Sequence, residues 1–252
     1  MSAAGDTDPS PAAGLKLVLF DCDGTLVDSQ HLIVSAMNDV HVAYGVPVPD
    51  REKLLSVVGL SLPQAFAVLS QGDASYPIQA MVDAYKVAFN RMLNADAPEP
   101  MFDGAREVLE GLRQREDVVL GIVTGKSRRG VNRILAVQGM EGWFSTIQTA
   151  DDAPSKPHPA MVFQAMGEVG ARPEDTVVIG DTTYDISMAL QAGASALGVA
   201  WGYHETPALE RAGADRIVQH FREVPDAIAE LLARARADLI ASQSDRITRS
   251  RS

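Results

Sequence analysis

The chain contains one cysteine, Cys22, and no uninterrupted apolar run that approaches the ~20 residues of a membrane span. A single thiol excludes an internal disulfide framework. Positive charge is also scarce: 22 Lys and Arg stand against 33 Asp and Glu, for a net charge of −11 and a pI near 4.8. Such a surface has no overall field to attract nucleic acid or an anionic membrane. No internal repeat of roughly 20 to 50 residues is visible, which sets solenoids and propellers aside. Residues 1–14, "MSAAGDTDPSPAAG", lack the basic start and apolar block of a signal peptide. These absences predict a cytoplasmic protein with no nucleic-acid or membrane partner; a monomer or a homodimer is expected, and the sequence does not choose between them.

What is present is ordinary globular composition, with 46% hydrophobic and 22% charged residues in a chain of 252. At ~100 to 200 residues per domain, that length builds one large domain, or a core domain with a smaller one inserted. Short runs rich in Val, Ile and Leu recur at Leu15–Phe20, Val118–Val123, Thr176–Ile179 and Ala196–Ala200, with a weaker one at Arg216–Val218. Helical patterns separate them, so an α/β fold with a parallel sheet covered on both faces is expected. Between Ser29 and about Pro100 only helical periodicity appears. Ile33, Ala36, Met37, Val40 and Tyr44 form one stripe; Ile78, Met81, Val82, Tyr85, Phe89 and Met92 form another. The reading is an all-helical insert at 29–100 with "ADAPEPMFDG" as its return linker, a core at 15–28 and 101–235, a loose lead at 1–14, and a polar, frayed tail at 236–252.

In parallel α/β sheets ligands sit beyond the carboxyl ends of the strands, so the residues there matter most. The first strand runs into Asp21-Cys22-Asp23-Gly24-Thr25, the second into Thr124-Gly125-Lys126-Ser127, and the fourth into Gly180-Asp181-Thr182-Thr183-Tyr184-Asp185. "PSKPHPAM" adds Lys156. Residues two apart on an extended chain face the same way, so Asp21 and Asp23 can share one site. Alone, "DCDGT" also fits a turn with a capping Asp, and Asp185 also fits a first-turn charge on a helix. Together, Asp21, Asp23, Asp181 and Asp185 with Lys156 leave about −3 in one cleft, which a divalent cation lowers to about −1. Oxygen donors without a His or Cys cluster favour Mg²⁺. The Thr124 hydroxyl beside a helix starting near Ser127, with Gly125 and Lys156, suits a phosphate group. A carboxylate next to that anion can act as nucleophile and a second as acid and base.

These segments resemble the haloacid dehalogenase superfamily of phosphohydrolases over roughly Leu15–Leu232, through "FDCDGTLVDS", "IVTGKS", "SKPHP" and "VVIGDTTYDI" in that order. The resemblance implies a Rossmann-like core with an inserted helical cap that closes over the substrate. It implies Asp21 as nucleophile and Asp23 as general acid and base, with Asp21, the Asp23 carbonyl and Asp181 on Mg²⁺. Asp185 would orient the waters of the metal or Lys156, and Thr124 and Lys156 would hold phosphoryl oxygens. Asp23 argues against the superfamily's C–Cl and C–P cleaving members, and Thr25 leans toward phosphatase over mutase. The subgroup it resembles is the phosphoglycolate phosphatase-like one, in which Gly59 would lie on the cap loop. Gly125 departs from the Asn often found there, which leaves the substrate open. The expectation is an Mg²⁺-dependent phosphatase acting on a small phosphorylated metabolite. The rivals are a phosphosugar mutase and a non-catalytic regulator that binds a phosphorylated ligand.

Among single residues, Lys126 is a weak candidate for substrate phosphate. His158 and Cys22 read as structural, and Trp201 and Tyr203 as either packing or cleft edge.

Overall fold

The computed structural model describes residues 14–95 and 99–250, so nearly all of the lead read at 1–14 lies outside the described residues. Six parallel strands form one sheet in the order β3-β2-β1-β4-β5-β6. They are β1 (Lys16–Phe20), β2 (Val118–Val123), β3 (Thr146–Gln148), β4 (Thr176–Gly180), β5 (Ser195–Val199) and β6 (Arg216–Val218). The chain winds outward from β1 to one edge and then crosses to β4 to build the other half. That reversal opens a crevice beyond the carboxyl ends of β1 and β4.

Alternation along β1 decides which side chains enter it. Val18, Phe20 and Cys22 point to one face, where they join Leu109 of α5 (Ala105–Arg113), Val131 and Ile134 of α6 (Arg128–Val137), and Ile228 and Leu231 of α10 (Val224–Ser250). Leu17 and Leu19 point to the other, with α7 (Ala160–Val169), α8 (Thr183–Gln191) and α9 (Thr206–Ala212). Asp21 continues the odd-numbered side, and its N–H still bonds the Ile179 carbonyl at 2.9 Å. Cys22 is therefore packed in the core, as its place between the aspartates suggested, and burial pushes its thiol well above the usual range.

Residues 29–95 add α1 (Gln30–Ala43), α2 (Arg51–Leu55), α3 (Leu62–Leu69) and α4 (Ile78–Ala95). Their apolar stripes close a core of their own around Met37, Phe66, Met81 and Tyr85. Tyr44, assigned to the first stripe, is instead exposed because it caps the end of α1. Two further departures are a strand that the sequence reading lacks and the end of a helix. β3 carries only "TIQ", whose Thr146 and Gln148 are buried by hydrogen bonding, not by apolar character. The stretch read as a frayed tail from 236 continues α10 to Ser250. Arg236 anchors its start, reaching Asp175 at 2.8 Å. Among the described residues, no helix is long and apolar enough to cross a membrane.

Candidate active site

Asp21 and Asp23 leave β1 through a tight turn in which Gly24 takes φ +85°. Glycine is needed there twice over, because a Cβ on Gly24 would also lie 2.3 Å from Asp181 Oδ2. Gly202 meets the same limit, its Cβ falling 2.1 Å from that of Asp181. Small residues thus press the chain around Asp181. Its Oδ1 accepts from the Thr25 hydroxyl at 2.9 Å and its Oδ2 from the Tyr203 N–H at 2.8 Å.

Asp185 sits in the first turn of α8, in a capping box with Thr182. Its Oδ2 accepts from the Thr182 N–H and hydroxyl, leaving Oδ1 to take Lys156 Nζ at 2.5 Å. The same ammonium lies 2.8 Å from Asp21 Oδ1, yet neither Asp21 oxygen accepts a well-aligned hydrogen bond. Buried carboxylate oxygens are normally satisfied. Asp21 is fully buried, and beyond the Lys156 ion pair its two oxygens have no partner.

Oxygens of Asp21, Asp181 and Asp185 lie within 4.8 Å of one another. Burial pushes the Asp21 carboxyl up to about 7, against the pull of Lys156 and with help from Asp185 and Asp23. Burial raises Asp181 well above the carboxylate range too, with Asp185 and Asp21 adding to it. Burial draws the Lys156 ammonium down, but Asp185 and Asp21 more than offset this and raise it. A hard cation fits this donor set: all oxygen, over-charged, and with orphaned atoms on Asp21. The Asp23 side chain is not part of the cluster. Its Oδ1 accepts from the Ser29 hydroxyl at 2.5 Å and from Lys126 Nζ at 2.7 Å. Across the cleft, Thr124 Oγ1 accepts from the Lys126 N–H at 3.2 Å, and Thr124, Gly125 and Ser127 line the same cavity as Asp21 and Asp23.

A family model described as haloacid dehalogenase-like hydrolase matches residues 18–199. The chain belongs to that family. It is 37% identical over 218 residues to a protein named "Probable phosphatase IndB" from Dickeya dadantii, covering 86% of this chain and 94% of that one. It is 30% identical over 220 residues to the pyrophosphatase PpaX of Oceanobacillus iheyensis, covering 87% and 99%. A solved structure from Clostridium acetobutylicum, described as a predicted phosphatase, superposes with a TM-score of 0.76 at 26% identity over 86% of this chain and 99% of that one.

Around this cluster, several residues have roles that the sequence does not show or shows differently. Lys126 is bound to Asp23 and, at 2.9 Å, to Glu99, and its Nζ lies 5.1 Å from the Phe89 ring centroid. Burial lowers its ammonium and Asp23 with Glu99 raises it further, for a net upward shift. Glu99 is itself buried and also binds Arg133. In the sequence it is one of three acidic residues in the return linker, with nothing local to set it apart. Trp201 and Tyr203 both serve the site from its edge. The indole N–H of Trp201 donates to the Thr25 carbonyl at 3.1 Å, while the Tyr203 hydroxyl accepts from the Ser29 N–H at 3.1 Å. His158 is exposed, its Nδ1 accepting from the Ala160 N–H ahead of α7.

The helical insert touches the sheet edge directly. A Cβ on Gly125 would fall 2.4 Å from the Gly59 carbonyl oxygen and 2.6 Å from that of Leu60. The Ser61 N–H donates to Ser155 Oγ at 2.8 Å, and the Ser56 carbonyl accepts from the Tyr184 hydroxyl at 2.9 Å. The departure at Gly125 therefore has a physical reason, since an Asn side chain would occupy the place of the loop backbone.

Proposed function

We propose that this chain is a Mg²⁺-dependent phosphatase that hydrolyses phosphate monoesters of small metabolites through a covalent aspartyl-phosphate. The observation that carries the proposal is the buried Asp21 carboxylate, partnered by Lys156 alone and set beside Asp181 and Asp185. A group so placed costs stability, and functional sites are where such costs are retained. The phosphatase names of relatives that cover most of the chain support the same reading.

Asp21, Asp181 and Asp185, with the Asp23 carbonyl, would hold the cation. When bound, it would offset their negative charge and that of an arriving phosphoryl group. Lys156 faces Asp21, and the Thr124 hydroxyl and the Gly125 N–H flank the place a phosphoryl group would take. An Asp21 oxygen attacks phosphorus as the ester oxygen departs, and that oxygen takes a proton from Asp23. Water then gives a proton to Asp23 and attacks the acyl-phosphate, which restores Asp21 and frees inorganic phosphate. Ser29 and Lys126 hold Asp23 away from the metal cluster, on the cavity side where a leaving oxygen would lie.

The test is inorganic phosphate release from a panel of phosphate monoesters with Mg²⁺, with chelator, and with Asp21→Asn. Release that needs metal and Asp21 is expected. An isomerised sugar phosphate with little free phosphate would indicate a mutase, and unchanged turnover by Asp21→Asn would remove covalent catalysis.

A further inference from the structure

The cavity above Asp21 and Thr124 measures about 590 Å³, inside the ~300–1,000 Å³ range of small-molecule sites. A two-carbon alcohol such as glycolate would leave most of it unfilled. Its outer walls come from the insert and are mostly apolar: Ile33 and Met37 of α1, Val58 and Leu60 of the loop before α3, and Tyr85 and Phe89 of α4, with Ser61, Lys86 and Asn90 as the polar members.

The basic residues on the cavity would by their number suggest a second anion. Lys86, Lys126, Arg129 and Arg133 all line it. Their pairing reverses that conclusion. Glu99, its side chain 1% exposed, binds both Lys126 and Arg133, and Lys126 is further committed to Asp23. Lys86 and Arg129 are exposed to water, where a charge–charge contact is screened. Past Asp23, therefore, no buried and uncommitted cation faces the leaving group among the described residues. A carboxylate or second phosphate drawn into that space would lose hydration without a partner, whereas an apolar body would gain by leaving water.

We propose that the alcohol half of the substrate is uncharged and carries an apolar or aromatic body larger than glycolate, packed against Met37, Tyr85 and Phe89. This rests on the phosphatase reading above. It separates the chain's own substrate class from both phosphoglycolate and pyrophosphate.

The experiment compares hexyl and benzyl phosphate with phosphoglycolate and inorganic pyrophosphate, all with Mg²⁺. The esters of uncharged alcohols should show kcat/KM higher by at least about tenfold, the lower end of what one methylene contributes in an apolar pocket, and mainly through KM. Glu99→Gln removes the counter-charge of Arg133 and one of the two on Lys126, so it should narrow that preference. Equal or better turnover of phosphoglycolate or pyrophosphate by the wild type would overturn the proposal. A binding arm keeps the two claims apart, using calorimetric affinity of Asp21→Asn for hexyl phosphate and phosphoglycolate. Tighter hexyl phosphate binding without turnover in the wild type would refute the phosphatase reading, and with it the claim about a substrate, while the cavity's preference for an apolar body would stand. Equal or weaker hexyl phosphate binding would refute this one alone.

Discussion

Replacing Asp21 by asparagine should abolish turnover and yet stabilise the metal-free protein at neutral and alkaline pH. The folded protein holds the Asp21 carboxyl up at about 7, against an ordinary value of 3.8, because burial outweighs the attraction of Lys156. The folded state therefore binds this proton more tightly than the unfolded chain does. Its contribution favours folding below pH 3.8 and is lost as pH rises to about 7. A shift of about 3 units at 1.36 kcal/mol each makes ionised Asp21 cost up to ~4 kcal/mol above that range. At ~2–4 °C per kcal/mol for a chain of this size, the ceiling on the Tm gain is ~8–16 °C. Asparagine keeps the shape without the charge. Lys156 still has Asp185 at 2.5 Å, so the loss of its second partner offsets only part of the gain.

Thermal melts of wild type and Asp21→Asn in chelator, from about pH 5 to about pH 8, read this directly. The Tm advantage of the variant should widen with pH across that window. Mg²⁺ should raise the wild-type Tm and do so more at the alkaline end, while leaving the variant nearly unmoved. A Tm difference that stays constant with pH, or a variant less stable than wild type at pH 8 in chelator, would refute the reasoning.

Other perturbations address the neighbours of Asp21. Lys126→Met leaves Asp23 and Glu99 as buried anions without their shared cation, at a stability cost of ~3–5 kcal/mol. Its turnover should fall more with alkyl phosphates than with aryl phosphates, whose leaving groups need less protonation. Equal losses on both would detach Lys126 from Asp23's role. Asp181→Asn should weaken divalent cation binding by at least ~10- to 100-fold in a calorimetric titration; unchanged affinity would place the metal elsewhere. Gly125→Asn forces the side chain into the Gly59 and Leu60 carbonyls at a cost of ~1–3 kcal/mol, so KM should rise about tenfold or more. Unaltered KM would show that the loop contact has no part in holding the substrate.

Why some of this was legible in the sequence and some was not follows from the range of the interactions. The β1, β2 and β4 ends could be read because each combines a local apolar run with an abrupt polar turn, as in Phe20-Asp21 and Gly180-Asp181. The insert could be read because its stripes repeat every helical turn. β3 could not, since Thr146 and Gln148 are buried through hydrogen bonds to each other and to Glu168, a partner 22 residues beyond Thr146. Glu99 gave no local signal either: its importance lies in meeting Lys126 and Arg133 from the far side of the fold. Asp23 was grouped with the metal carboxylates by proximity in sequence. The direction of its side chain is set instead by Ser29 and Lys126, which only the folded chain brings to it. Gly125 is the converse case, visible as a departure but unexplained until Gly59 is seen against it.

The most direct test of the account is to quench a single turnover of radiolabelled substrate in acid and map the labelled peptide. Label on Asp21 in the wild type, absent from Asp21→Asn and from chelated enzyme, is the predicted result. Phosphate release with no label on the protein, or with label on any other residue, would contradict the claim that Asp21 is the group that attacks phosphorus.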